Sequence, residues 1–131
     1  MNLLHKDLTD TILKSYYHVY NTLGYGFLEK VYENALAIEL ASQGLECSKQ
    51  QQIKVYYQGD EVGNYFADLI VNRNVIVELK AAVSLISDHQ QQLLNYLRAT
   101  TVEVGLLLNF GTRPEFKRKV FENRFKSVPS V

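Results

Sequence analysis

The sequence predicts an α/β sandwich, a mixed central sheet with helices packed on both sides. Three observations predict it. Helical apolar spacing fills residues 3–43, β-branched and aromatic runs of strand length fill residues 51–81, and a further helical stretch separates those runs from a last apolar strand starting at Glu103.

The elements follow in order. From Leu3 to Leu23, apolar residues recur at Leu4, Leu8, Ile12, Leu13, Tyr16, Val19 and Tyr20, the spacing of one helical face. Gly24 and Gly26 break that helix. A second helix is expected from Phe27 to Gln43, with Leu28, Val31, Tyr32, Ala35, Leu36, Ile38 and Ala41 facing inward and Gly44 as its stop. Gln51–Tyr57 reads as a strand and Gln58–Glu61 as a turn. Val62–Val71 and Val75–Ala81 read as strands joined by Asn72, Arg73 and Asn74 in a tight hairpin loop. Ser87–Ala99 returns to helical period, with Ser87 or Asp88 as the N-cap. Glu103–Phe110 is apolar enough to be a strand buried on both faces. Phe116–Phe121 fits an edge strand or a short helix, and the chain is expected to fray after about Asn123.

Composition narrows the function. The 131 residues amount to one domain, and no repeat, low-complexity run or Pro/Gly/Ser-rich linker divides them. No apolar run approaches the ~20 residues of a membrane span. The N-terminal residues lack the apolar core of a secretory signal. Cys47 is the only cysteine, so neither an intrachain disulfide nor a cysteine-based zinc cluster can form, and a cytoplasmic protein is expected. The formal net charge is zero, which is not the profile of a tight non-specific nucleic-acid binder. The charge is uneven, however: residues 113–126 hold six basic and two acidic side chains, including Lys117, Arg118 and Lys119. Such a segment either contacts phosphates or is a solvated tail.

The hairpin carries the chemistry. Pairing centred on Arg73 sets Val71 opposite Val75, Asp68 opposite Glu78 and Phe66 opposite Lys80. Side chains alternate along a strand, so Asp68, Glu78 and Lys80 point to one face. Two carboxylates directly opposite one another repel, and the apolar neighbours Leu69, Ile70, Ile76, Val77 and Leu79 place them in a poorly solvated setting. Three arrangements relieve the cost: protonation of one acid, an ion pair with Lys80, or a hard divalent cation shared by both. Mg²⁺ suits such a site because it takes one or two protein carboxylates and leaves other positions to water and substrate oxygens.

Several segments resemble a known family. The run Gly26-Phe27-Leu28-Glu29-Lys30-Val31-Tyr32 matches the G-x-x-E-x-x-Y signature of the GxxExxY proteins, a group within the PD-(D/E)XK nuclease superfamily. Residues 66–71, around Asp68, are similar to the superfamily's aspartate strand, and Val77-Glu78-Leu79-Lys80 to its (D/E)-x-K strand. Gln92 through Tyr96 resembles the Q-x-x-x-Y motif of RecB-like members, and residues 105–111 the strand that follows. The resemblance runs from about Leu8 to Gly111. It departs from the pattern at Ala67, where a proline often precedes the aspartate. It implies a restriction-endonuclease-like α/β sandwich in a single domain over residues 1–131.

The resemblance also implies roles. Asp68 and Glu78 are metal ligands for Mg²⁺ or Mn²⁺, with a main-chain carbonyl near Leu79 completing the site. Lys80 positions the attacking water or contacts the scissile phosphate; an ion pair to Glu78 or Asp68 is compatible with that role in the metal-free state. Glu29 binds a metal through water or positions Lys80, or else it is a helix-start carboxylate favoured by the macrodipole. Gln92 hydrogen-bonds near the site and Tyr96 orients it or touches substrate, or Tyr96 packs in the core. His89 reads as a surface histidine, and the buried Asn109 needs partners.

The implied activity is a metal-dependent nuclease that hydrolyses phosphodiester bonds with a metal-activated water. DNA is the expected substrate and a homodimer the expected assembly. Lys117, Arg118 and Lys119 are the candidate nucleic-acid contacts. The competing readings are a catalytically silent nuclease fold that binds nucleic acid or a partner, and a phosphodiesterase acting on small nucleotides.

Overall fold

The computed structural model describes residues 3–126. Eight regular elements precede a short 3-10 turn: α1 (Lys6–Leu23), α2 (Glu29–Ser42), β1 (Cys47–Tyr57), β2 (Asp60–Val71), β3 (Val75–Lys80), α3 (Ser87–Arg98), β4 (Val104–Phe110) and β5 (Pro114–Val120). The strands form one sheet in the order β1-β2-β3-β4-β5. Only β3 and β4 run parallel, because α3 carries the chain back between them; the other neighbours are antiparallel. The sheet is therefore mixed, as expected.

The two faces bury separate apolar clusters. Ile12, Tyr16 and Val19 of α1 and Tyr32, Leu36 and Leu40 of α2 pack on Leu69, Val71, Val75, Val77, Leu79 and the even-numbered residues of β4. Leu93, Tyr96 and Leu97 of α3 pack on Ile53, Ala67, Ile70, Ile76 and Leu107. β4 is buried along its whole length, as a strand covered on both faces must be. Gly105 lies directly under α3: a Cβ there would sit 2.6 Å from a Leu93 methyl.

Several boundaries differ from expectation, each for a local reason. α1 begins at Lys6 rather than Leu3, because His5 sits in the left-handed region at φ 52°. On α2 the inward stripe is Tyr32, Leu36 and Leu40, while Leu28 and Ile38 are exposed. β1 starts at Cys47, four residues before the β-branched run, because its polar first third is an outer edge that needs no apolar pattern. Ser87 is the first residue of α3 and Ile86 precedes it without a side-chain cap; His89 Nδ1 accepts the Ile86 N–H at 3.2 Å instead. Residues 114–120 form a strand, not a helix.

The C-terminal segment is tied down through Lys126. Asn123 N donates to Glu103 at 2.8 Å, and Lys126 Nζ caps the carbonyls of Thr100 and Val102 at 2.7 and 2.8 Å. The expected fraying thus finds no place before Lys126, and residues 127–131 lie outside the described part. Among the described residues no helix is long and apolar enough to cross a membrane.

Candidate active site

The hairpin has the expected register. Val71 pairs with Val75, Ile70 with Ile76 and Leu69 with Val77. Asn72 and Arg73 both take positive φ, 51° and 59°, and Asn74 N–H closes the turn on Val71 O at 3.0 Å. Beyond Leu69 and Val77 the ladder stops, and side chains replace it. Asp68 N–H donates to Glu78 Oε2 at 2.8 Å, and Leu79 N–H donates to Asp68 Oδ2 at 2.9 Å. Asp68 and Glu78 are therefore neighbours, as the pairing predicts. Phe66 is not opposite Lys80, because the strands have already parted.

The parting coincides with a break in the pleat of β1 and β2. Ala67 lies beneath α3 with Ile70, whereas Leu69 and Val71 lie on the other face. On an unbroken pleat Ala67 would share the face of Leu69. β1 changes in the same place, with Cys47 on the α1/α2 side and Ile53 beneath α3. Between the two phases stand Gln50 and Asp68, which drop out of the ladder between Lys49–Leu69 and Gln51–Ala67. Gln50 has φ 52°, an uncommon conformation for a non-glycine residue inside a strand.

That backbone conformation aims the Gln50 amide. Its Nε2 donates to Glu33 Oε1 at 2.6 Å and to Asp68 Oδ1 at 3.3 Å. Glu33 is only 4% exposed, and its other oxygen meets Lys30 Nζ at 2.7 Å. Glu33 and Gln50 were not among the expected site residues. Glu33 had a signal, since it stands four residues after Glu29 on the same helical face. Gln50 had none, because it precedes the β-branched run that marks the strand.

Glu78 is 5% exposed. Burial pushes its carboxyl up to about 9, the Asp68 carboxylate adds to the rise, and Lys80 and the Asp68 N–H work against it. Burial and the facing Asp68 carboxylate favour the protonated form of Glu78, one of the three arrangements that relieve two facing acids. Lys80 does not pair with either acid among the described residues. It stands at the end of β3, and its Nζ turns to Gln92 Oε1 on α3 at 3.4 Å. Gln92 Nε2 in turn donates to the Tyr96 hydroxyl at 3.1 Å. Burial raises the Tyr96 hydroxyl pKa, followed by the charge of Glu78 and, more weakly, of Asp68, so both acids lie within reach of α3. Tyr96 also packs in the core, so its two readings hold together.

Glu29 approaches from the opposite helix layer. Its Oε2 faces Ala81 N–H at 3.4 Å, one residue past Lys80. The G-x-x-E-x-x-Y run acquires a physical reason. Gly26 has φ 108°, which a side chain tolerates poorly, and the Tyr32 hydroxyl binds the same turn, donating to Gly24 O at 2.6 Å and accepting Phe27 N–H at 3.2 Å. The turn and helix are thus locked together, and Glu29 projects from their junction. Asn109 finds its partners in the same loop: its Oδ1 accepts Ala82 N–H and its Nδ2 donates to Ala82 O, both at 2.9 Å.

The oxygen donors suit a hard divalent cation. Among the described residues, Glu78 Oε1 has no hydrogen-bond partner and Asp68 Oδ1 meets only Gln50 Nε2, at 3.3 Å. No cluster of three or more His, Cys, Asp or Glu side chains capable of holding a metal occurs among the described residues. Asp68 and Glu78 are two neighbouring carboxylates, and hard divalent cations such as Mg²⁺ take one or two of these together with water.

The basic residues of β5 do not share one surface. Lys117 pairs with Leu107, and Lys119 with Gly105, on the α3 face. Arg118 pairs with Leu106 on the other face, where its guanidinium donates to Leu4 O. β5 is also separated from β3 by β4.

Comparison with known proteins agrees with this geometry. Among curated proteins none matches the chain. Among solved structures, the crystal structure of SSO0001 matches with a TM-score of 0.53 and 16% identity, covering 71% of this chain. The chain spans 50% of the length of that protein, and at this identity the likeness speaks to the fold alone. The model of a PD-(D/E)XK nuclease superfamily family matches residues 6–119, a span that holds every element from α1 to nearly the end of β5. With its restriction-endonuclease-like α/β sandwich and its acidic hairpin, the chain belongs to the PD-(D/E)XK nuclease superfamily.

Proposed function

We propose that this protein hydrolyses phosphodiester bonds of nucleic acid, DNA being the expected substrate, with Mg²⁺ or Mn²⁺ bound at Asp68 and Glu78. The reciprocal hydrogen bonds between these two acids and each other's strand carry the proposal, because they hold two carboxylates together where burial disfavours the charge of Glu78. When bound, a divalent cation supplies an activated water and offsets phosphate charge. Glu78 must give up its proton to serve as a ligand. Lys80, steadied by Gln92, presents a cation to the scissile phosphate and stabilises the charge that develops there. Tyr96 holds Gln92 in turn. Glu29 keeps the backbone after Lys80 in place.

We further assign the chain to the GxxExxY group with a RecB-like Q-x-x-x-Y motif. The Gly26–Tyr32 turn lock and the Lys80–Gln92–Tyr96 chain support that assignment. The test is cleavage of labelled single- and double-stranded DNA and RNA in Mg²⁺ or Mn²⁺. Activity is expected in the native chain and lost in Asp68→Asn and Lys80→Ala. Activity that survives both substitutions places the chemistry elsewhere, and no cleavage of any substrate favours the silent, binding-only fold.

A further inference from the structure

A cavity of about 610 Å³ opens beside the acidic site, between α3 and the free end of the β1–β2 ribbon. The ribbon exists because the two ladders differ in length. β1 and β2 stay paired out to Tyr57 and Asp60, whereas β2 leaves β3 at Leu69. Residues 51–67 therefore run past the site as a two-stranded ribbon with no third strand on either edge among the described residues, and α3 forms the opposite wall. Gln92 and Tyr96 belong to both the site and the cavity, so the two are continuous.

The lining is aromatic and amidic. Tyr56 and Tyr65 come from the ribbon, and Gln91, Asn95 and Tyr96 from α3. The Tyr65 and Tyr96 rings are 5.8 Å apart, and Tyr65 is 49% exposed, so one ring is anchored and the other offers a free face. Gly63 leaves room for that ring: a Cβ there would lie 3.2 Å from Tyr65 Cε2. Gln91 and Asn95 each present a donor and an acceptor, and hold each other through Gln91 Nε2 to Asn95 Oδ1 at 3.0 Å. The charged lining residues are Asp88 and Arg98, one of each sign, so the cavity does not attract phosphate as such.

We propose that this cavity takes an unpaired nucleobase next to the scissile phosphodiester, which makes single-stranded nucleic acid the substrate class. A base has a flat face for stacking on tyrosine and an edge that mixes donors and acceptors, which the two amides match. A base inside a duplex exposes neither its face nor its pairing edge. The size lies within the range of small-ligand sites and admits a base with its sugar. The proposal rests on the nucleic-acid reading of the neighbouring site and narrows it.

The test uses the full chain with oligonucleotides carrying 2-aminopurine at successive positions, in EDTA and in Mg²⁺, single-stranded and as duplex. Single strands are expected to bind with a fluorescence change at one or two adjacent positions, and duplex to bind more weakly with none. Tyr65→Leu should weaken single-strand binding by about tenfold, and Tyr65→Phe should restore it. Because Tyr65 is half-exposed, thermal melts should show both variants folded. Unchanged affinity in folded Tyr65→Leu overturns the proposal, as does absence of a 2-aminopurine change in both buffers. A self-association that Tyr65→Leu abolishes also overturns it, since a second copy would then fill the cavity. The nuclease reading fails separately: a native chain that binds single strands this way and cuts nothing keeps the base site and loses the catalytic proposal.

Discussion

Asp68 and Glu78 each accept a backbone N–H across the β2–β3 gap, Glu78 from Asp68 at 2.8 Å and Asp68 from Leu79 at 2.9 Å. The ordinary ladder has ended one pair earlier, at Leu69 and Val77. The two acids thus do the work of strand pairing at the point where the strands diverge. Their separation is set by the backbone rather than by flexible side chains, which pre-organises two oxygen donors. The same arrangement makes the metal-free state uncomfortable, because ionising both acids puts two like charges in a poorly solvated place.

A pH dependence follows for the metal-free protein. The Glu78 carboxyl titrates near 9 when folded, against an ordinary value of 4.5. Between those values the unfolded chain has lost the proton and the folded chain keeps it. The stabilisation from holding that proton is complete below the unfolded value and is lost as pH rises through the folded one. Stability in EDTA should therefore fall with rising pH across this window, by at most about 1.4 kcal/mol per pH unit from this group. Glu78→Gln should flatten the slope and raise the melting temperature at pH 8. Denaturant melts from pH 5 to 9 decide it; a slope identical in native chain and variant would assign the pH dependence to other groups.

Divalent ions should reverse that penalty. Mg²⁺ or Mn²⁺ at about a hundred times its Kd is expected to add roughly 2.7 kcal/mol to the unfolding free energy at pH 8. Binding should release protons, read by calorimetry in two buffers of different ionisation enthalpy. Asp68→Asn and Glu78→Gln should each remove the stabilisation. Ion-dependent stabilisation that persists in both variants would locate the cation away from the hairpin.

Gln50 separates positioning from stability. At φ 52° a non-glycine residue is strained, so Gln50→Gly should relieve up to about 1 kcal/mol, which offsets only part of the about 1–3 kcal/mol cost of leaving the buried Glu33 Oε1 without its donor. The same change removes the amide that links Glu33 to Asp68. Cleavage should drop about ten- to a hundredfold in kcat with KM little altered. A purely structural residue would lower the melting temperature without that selective loss of kcat in the folded fraction. Full activity in a folded Gln50→Gly chain would show that the amide does not position Asp68.

What the sequence made legible was the part governed by repeating patterns. The register of the hairpin follows from a loop of Asn72, Arg73 and Asn74 and from the paired apolar runs, and these set Asp68 beside Glu78 without any tertiary information. The period of the first helix places Tyr16 inward, and on sequence alone Tyr96 stays open between the core and the site. What stayed hidden depends on broken patterns. The pleat change at Gln50 and Asp68 leaves no compositional mark, so neither the start of β1 nor the role of Gln50 could be read. The alternative of an ion pair between Lys80 and either acid is not realised, because the strand end and α3 decide where its ammonium turns, and local spacing does not encode that. Arg118 likewise looks like its basic neighbours in sequence, but strand alternation sends it to the opposite face.

The loop after Lys80 offers a last test. Asn109, buried on β4, grips Ala82 through both halves of its amide, and Gly111 packs so closely that a Cβ would stand 2.3 Å from Ala82 O. Glu29 holds the preceding residue, Ala81. Glu29 on α2, Asn109 on β4 and Gly111 just after β4 therefore fix the backbone that follows the catalytic lysine candidate. Asn109→Leu leaves two backbone groups unpartnered and should cost about 1–3 kcal/mol. Gly111→Ala should disturb the same grip through overlap, at about 1–3 kcal/mol. Because both act on Ala82, the double variant should lose less than the sum of the two. Hydrogen exchange should quicken at the Ala82 amide in each single variant, while amides of the α1 core stay protected. Additive losses, or unchanged exchange at Ala82, would mean that the two residues stabilise the fold independently and leave the placement of Lys80 to Glu29 and Gln92.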